Sequence, residues 1–158
     1  MHILVMTRIV PSHSLGGMQK QTMDLCSGFV ASGHQVTLLT TGRKDGVEQE
    51  NYNGVNIIFL SGSKPGYYSR KWNSMCRKKI VEIHQNSPID VIHSQSMGAN
   101  GVLKWAKKNS IPIASTWHGT SLTEIPTFFA SASYHPRYWH WLFIMPTTML
   151  MRYFTMDL

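Results

Sequence analysis

Apolar residues fall along this chain in short runs that alternate with longer amphipathic stretches. His2 to Thr7 (HILVMT) is a β-former-rich run that predicts a buried first strand. A loop carrying Pro11, Ser12, Ser14, Gly16 and Gly17 follows it. Met18 to Ser32 then places apolar or small residues at Met18, Thr22, Leu25, Cys26, Phe29 and Val30, which is helical spacing. Gly33 stands where a C-terminal helix glycine belongs. Gln35 to Thr40 and Val55 to Leu60 predict the second and third strands, with the polar segment Gly42 to Gly54 between them as a loop. Ser69 to Gln85 predicts a helix with Trp72, Met75, Cys76, Ile80 and Ile83 on one side. Asp90 to His93, Met97 to Asn109 and Ile111 to Trp117 predict strand, helix and strand. Strands alternating with helices imply right-handed βαβ crossovers, hence a doubly wound, Rossmann-like α/β domain with a parallel sheet and helices on both faces.

The pattern changes after Gly119. Thr120 to Leu158 holds nine of the 17 aromatic residues, together with Met145, Met149, Met151 and Met156. Two outcomes fit that composition: a loop with a terminal core helix, or an exposed apolar lid or docking face. The chain stops in mid-pattern with no sixth strand, so 1–158 reads as one domain that ends early. The longest apolar stretch, Trp141 to Phe154, is broken by Pro146 and Arg152 and is shorter than the roughly 20 residues a membrane span needs. The N-terminus lacks the layout of a signal peptide. A cytoplasmic protein, soluble or peripheral to a membrane, is the expectation.

Composition narrows the class. With 158 residues, 42% hydrophobic and 15% charged, the chain is rich enough in apolar residues for a core and unlike a disordered one. Cys26 and Cys76 both fall in predicted helices, which predicts buried free thiols rather than a disulfide. The formal net charge of +7 points to an anionic or phosphorylated partner. The charge is concentrated: Asn51 to Val81 has no acidic residue but holds Lys64, Arg70, Lys71, Arg77, Lys78 and Lys79. A solvated helix face is one outcome. A docking patch for a membrane surface or a phosphorylated acceptor is the other, ranked above nucleic acid because no nucleic-acid motif accompanies it.

In an open parallel sheet, ligands bind beyond the carboxyl ends of the strands, where strand order reverses. The loops in question are Arg8 to Gly17, Ser94 to Gly98 and His118 to Thr123. Gly16 and Gly17 open the first helix without side chains, so backbone N–H groups there can approach a phosphate that the helix dipole also favours. A turn that needs positive φ explains them equally well. The G-x-G-x-x-G fingerprint and a Walker A loop are absent, and Arg43 and Lys44 stand where a ribose-binding acid would be. A nicotinamide dehydrogenase is thereby disfavoured. His118 ends the last strand and can donate to a bound hydroxyl or stabilise developing charge. His13, His93 and His118 together would make a metal site for a hydrolase, though no tight ligand spacing supports it. Ser94 to Gly98 approaches a nucleophile elbow but lacks the first glycine.

Taken in order, several of these segments resemble a known family. They are the strand HILVMT, Gly16-Gly17 opening a helix, the run Ala31 to Thr40 (ASGHQVTLLT), Asp90 to His93, Ile111-Pro112-Ile113, and Thr116-Trp117-His118-Gly119. The set resembles the N-terminal, acceptor-side half of a GT-B glycosyltransferase of family 4. The resemblance implies a sugar-nucleotide-dependent retaining transferase in which two Rossmann-like domains face each other across a cleft. It implies that Gly16 and Gly17 approach the donor diphosphate and that His118 contacts the donor sugar. It implies acceptor contacts from Arg8, Gln95, Thr120 and the basic segment, and transfer without a metal or other cofactor. The family's paired glutamates and nucleotide contacts lie in a C-terminal donor domain, which residues 1–158 do not contain. The expectation is a domain inactive alone, whose partners are a sugar-nucleotide donor, a sugar or lipid-linked acceptor and an anionic membrane surface. The rival is a non-catalytic Rossmann-like module that binds a phosphorylated or membrane-surface ligand.

Overall fold

A computed structural model of the protein describes residues 1–117. The chain runs β1 (His2–Met6), α1 (Gly17–Ala31), β2 (Gln35–Thr41), β3 (Gln49–Tyr52), β4 (Val55–Leu60) and α2 (Arg70–Asn86), then β5 (Val91–Gln95), α3 (Leu103–Lys108) and β6 (Ile113–Thr116). A single 3₁₀ turn, Asn100–Val102, leads into α3. The six strands form one sheet in the order β3-β4-β2-β1-β5-β6. Every pairing is parallel except that of β3 with β4. The architecture is the expected Rossmann-like α/β domain with an antiparallel strand added at one edge.

Both faces of the sheet are covered, which is why its central strands are continuously apolar. On β1, Ile3 and Val5 point to one side and Leu4 and Met6 to the other. The first pair packs with Val36, Leu38 and Ile57 beneath Met23 and Cys26 of α1. The second pair packs with Leu39 and Ile92 beneath Trp72, Cys76, Ile80 and Ile83 of α2, joined by Ala106 of α3. The two cysteines are buried free thiols, one on each side of the sheet.

Local signals set the helix ends. Gly33, at φ 80, closes α1: its own N–H bonds Val30 O at 2.9 Å, and the next N–H, from His34, bonds Phe29 O at 3.0 Å. That is a Schellman pair, and it needs a residue tolerant of left-handed φ. Ser69 caps α2 by accepting the Trp72 N–H at 3.1 Å.

Two expectations are corrected. The segment Gly42 to Gly54 is not all loop, because Gln49–Tyr52 forms β3 and pairs with β4. Its polar residues lie on an exposed edge, so no apolar alternation marks them; the turn Asn53-Gly54 (φ 49 and 81) is the hairpin signal. The single helix predicted from Met97 to Asn109 is instead a turn, a 3₁₀ turn and the six-residue α3. Gly98 and Gly101 are used there for close approach. A Cβ on Gly98 would lie 2.9 Å from Met6 C, and one on Gly101 would lie 2.7 Å from Asn73 Cα. Among the described residues no helix is long and apolar enough to cross a membrane.

Candidate functional site

The order of the parallel strands reverses between β1 and β5: the chain leaves β1 for β2 on one side and returns to β5 on the other. The crevice at the carboxyl ends of these two strands is the default ligand position in such a sheet. It is bordered by the segment after β1 (residues 7–16) and the turn after β5 (residues 96–99).

The first segment is held from several sides. Thr41 Oγ1 donates to Arg8 O at 2.6 Å and accepts from Gly66 N–H at 2.9 Å. The Val10 N–H donates to His13 Nδ1 at 3.3 Å, so the ring proton is on Nε2, which faces the carbonyls of Thr41 and Gly42 at 3.1 Å each. Ser12 Oγ donates to Glu50 on β3 at 3.2 Å, and Arg43 meets the same carboxylate at 2.7 Å. Arg43 also pairs with Asp45 and lies over the Phe59 ring at 5.2 Å. That pairing holds the Asp45 carboxyl below its ordinary range.

This frame delivers the chain to Gly16 and Gly17. Gly16 is extended, at φ 176, and Gly17 is the first residue of α1. Gly16 is therefore ordinary extended backbone and Gly17 is helical, so a left-handed turn is not what requires them. At Gly16 a Cβ would come 2.5 Å from Gln19 Oε1; at Gly17 it would meet none of the described residues within 4 Å. Among the described residues no side chain caps this helix end, and its first turn has no acidic residue. The helix therefore presents free N–H groups and its positive dipole end at Gly16 and Gly17. Beside the two glycines, a groove between α1 and the β3–β4 turn is lined by Leu15 (91% exposed), Lys20, Met23, Asp24 and Tyr52.

Across the crevice, Gly98 seats the second turn directly against the end of β1. Tyr68 OH donates to Gln95 O at 2.8 Å, and Trp72 Nε1 donates to Gly98 O at 3.3 Å. Burial pushes the Tyr68 phenol up, and the nearby Arg8 charge acts the other way. Tyr68 and Trp72 thus position this turn, a role that the sequence pattern had not assigned. Its only sequence signal is an aromatic residue just before a Ser N-cap.

The predicted site residues distribute as follows. Arg8 is exposed at the end of β1, whereas Gln95 is buried at the end of β5. His118 and Thr120, with the aromatic segment that follows, lie outside the described residues. His93 is buried, with Nε2 2.9 Å from Thr116 Oγ1. His13 spends its lone pair on the Val10 N–H, which removes it from the proposed histidine metal set. Among the described residues no three His, Cys, Asp or Glu side chains are grouped to hold a metal ion. Ser96 has positive φ (53), as an elbow requires, but the glycine two residues before it is absent from the sequence. Ser94 Oγ is committed to Ser96 O and the Ala99 N–H. On α2, Arg70, Lys71, Arg77 and Lys78 are exposed, as is Lys64 in the preceding loop. Lys79 is set apart by its ion pair with Glu82 at 2.7 Å.

A family model described as Glycosyltransferase Family 4 matches residues 15–155. Among solved structures, the fold resembles sucrose-phosphate synthase from Thermosynechococcus elongatus, with TM-score 0.62 and 16% identity, over 84% of this chain and 35% of that one. A second structure of that synthase matches with TM-score 0.52 and 15% identity, over 75% of this chain and 64% of that one. At these identities the likeness is one of fold. The chain spans about a third of the first synthase chain and less than two thirds of the second. The comparison with curated proteins finds no match.

Proposed function

The chain belongs to glycosyltransferase family 4, and on that premise we propose that it is the acceptor-side domain of a sugar-nucleotide-dependent retaining glycosyltransferase. The observation that carries the proposal is the uncapped, acid-free N-terminus of α1, opened by Gly16 and Gly17 beside the crevice between β1 and β5. A helix end carries about half a positive charge and several donors aimed outward. It meets a diphosphate leaving group with N–H groups rather than with a metal ion. Arg8, exposed at the end of β1, is the proposed acceptor contact, with Thr120 as a further one, whereas Gln95 is buried at the end of β5. His118, which directly follows the segment ending β6, takes the donor-sugar role, where an imidazole stabilises charge as the glycosidic bond breaks. Nucleotide recognition and turnover fall to a second domain, so the isolated chain binds weakly and does not transfer sugar.

Amide chemical-shift mapping tests this directly. Titrating the chain with inorganic pyrophosphate, and then with nucleoside diphosphate sugars, should shift the amides of Gly16 to Lys20 first. Shifts confined to other segments would remove α1 from the donor site. Robust sugar transfer by the purified chain alone would refute the half-enzyme assignment. In an enzyme containing both domains, His118→Ala should lower kcat far more than it lowers thermal stability; an unchanged rate takes His118 out of the site.

A further inference from the structure

We infer that the outer surface of α2 and α3 is a docking face for an anionic lipid bilayer. The charge of the chain is divided unevenly along the fold. Residues 1–60 hold four basic and four acidic residues, whereas residues 61–117 hold nine basic and two acidic ones. The formal net charge of +7 is therefore carried by the part of the chain that builds α2, β5, α3 and β6. Of the two acids there, Asp90 binds the His2 N–H and Glu82 is occupied by Lys79.

The sheet converts this sequence bias into a surface. Helices α2 and α3 pack on the same face, since Cys76, Ile80 and Ala106 enter one core cluster with Leu4 and Ile92. His84 and Trp105 join the two helices through an edge-on ring contact at 5.3 Å. Turned outward are Arg70, Lys71, Arg77 and Lys78 on α2, and Lys104, Lys107 and Lys108 on α3. Among the described residues none of these seven has an ion-pair partner. Exposed apolar side chains, Val81 and Leu103, lie on the same two helices. The other face of the sheet is different: α1 has one basic residue, Lys20, and it is paired with Asp24 at 2.8 Å.

A bilayer fits this surface better than another polyanion does. Seven cations spread over two adjacent helices, the longer about 25 Å in length, match a plane of phosphates. Lysine stems lie along apolar surface while their ammonium groups reach the headgroups. Val81 and Leu103 can enter the headgroup boundary, as apolar residues of interfacial helices do. Single-stranded nucleic acid calls for exposed aromatic rings on which bases stack, and Trp105 on this face is already packed against His84.

Sedimentation of the full chain with vesicles tests the inference. Vesicles of 30% phosphatidylglycerol in phosphatidylcholine should bind the protein at 0.1 M salt and release it at 0.5 M, because exposed charges are screened as salt rises. Pure phosphatidylcholine should bind it poorly. Each basic residue near the surface is worth about a fivefold change in partitioning, so K104Q/K107Q/K108Q should weaken binding about 100-fold. R77Q/K78Q should weaken it about 25-fold from α2, with circular dichroism confirming that both variants stay folded. Lys44→Glu, an exposed change in the neutral half, should leave binding within about twofold. Three results would overturn the inference: equal binding to neutral vesicles, variants that bind as the parent does, or a loss with Lys44→Glu equal to that with Lys78→Glu. Release from vesicles by a single-stranded RNA at equal phosphate concentration would overturn it too, in favour of nucleic acid.

Discussion

Gly17→Ala separates a glycine required by the fold from one required by a ligand. Gly17 is the first residue of α1, its φ is not positive, and a Cβ there would meet none of the described residues within 4 Å. Alanine therefore adds no clash and no backbone strain. Glycine costs a helix interior about 1 kcal/mol relative to alanine, and in the first turn roughly half of that applies. The variant should be as stable as the parent or up to about 0.5 kcal/mol more so, which is a Tm rise of about 1–2 °C in a chain of this size. Binding should move the other way. The Cα–Cβ bond in a helix tilts toward the N-terminus, so the new methyl enters the space over the first-turn N–H groups. Displacing one charge-assisted hydrogen bond costs about 1.5–3 kcal/mol, or roughly 10- to 100-fold in affinity for inorganic pyrophosphate. Differential scanning calorimetry and a pyrophosphate titration of the same preparation give both numbers. A Tm lowered by several degrees would show that Gly17 serves the fold. Unchanged affinity would refute its role at the phosphate.

The remaining predictions concern packing and ionisation. Gly98→Ala forces a methyl against the Met6 carbonyl and within 3.2 Å of Tyr68 OH, so it should cost about 2–3 kcal/mol in urea unfolding; a cost below 0.5 kcal/mol would show that the turn is loosely seated. Both thiols should resist a thiol reagent at pH 8 in the native protein and react fully in denaturant, since burial raises Cys26 to about 12 and Cys76 higher still. The folded pKa values exceed the unfolded value near 9.0. Stability should thus be intact below pH 9 and fall as pH rises from there toward 12, by about 1.4 kcal/mol per pH unit for each thiol. Cys26→Ala should flatten that alkaline slope, and an unchanged slope would assign it to other groups.

Much of this fold is legible in the chain because burial imposes a period on it. The strands around β1 are covered on both faces, so they appear as unbroken apolar runs, and α2 shows Trp72, Cys76, Ile80 and Ile83 at helical spacing. β3 escaped because an exposed edge strand needs no apolar side, and only the Asn53-Gly54 turn betrays it. The helix predicted over Met97 to Asn109 was overextended because Gly98 and Gly101 look like tolerated helix residues. Their purpose, contact with the end of β1 and with Asn73, lies in other elements. The site was legible to the same degree. The glycine pair that opens α1 stands out in the sequence, whereas Tyr68 and Trp72 acquire their positioning role only through contacts with Gln95 and Gly98.

The sequence by itself determined the layered α/β class, the strand that opens it and the glycine pair that begins α1, because periodicity and helix-end chemistry are local. It also determined the +7 and the acid-free run that begins at Asn51. Tertiary structure decided where the strand order reverses, which histidine spends its lone pair on a backbone N–H, and which basic residues share a surface. Lys104, Lys107 and Lys108 lie more than twenty positions after Lys79, yet packing on one sheet face sets them beside α2. Charge is a property of residues, but a charged face exists only once helices distant in sequence bury their apolar sides against the same strands.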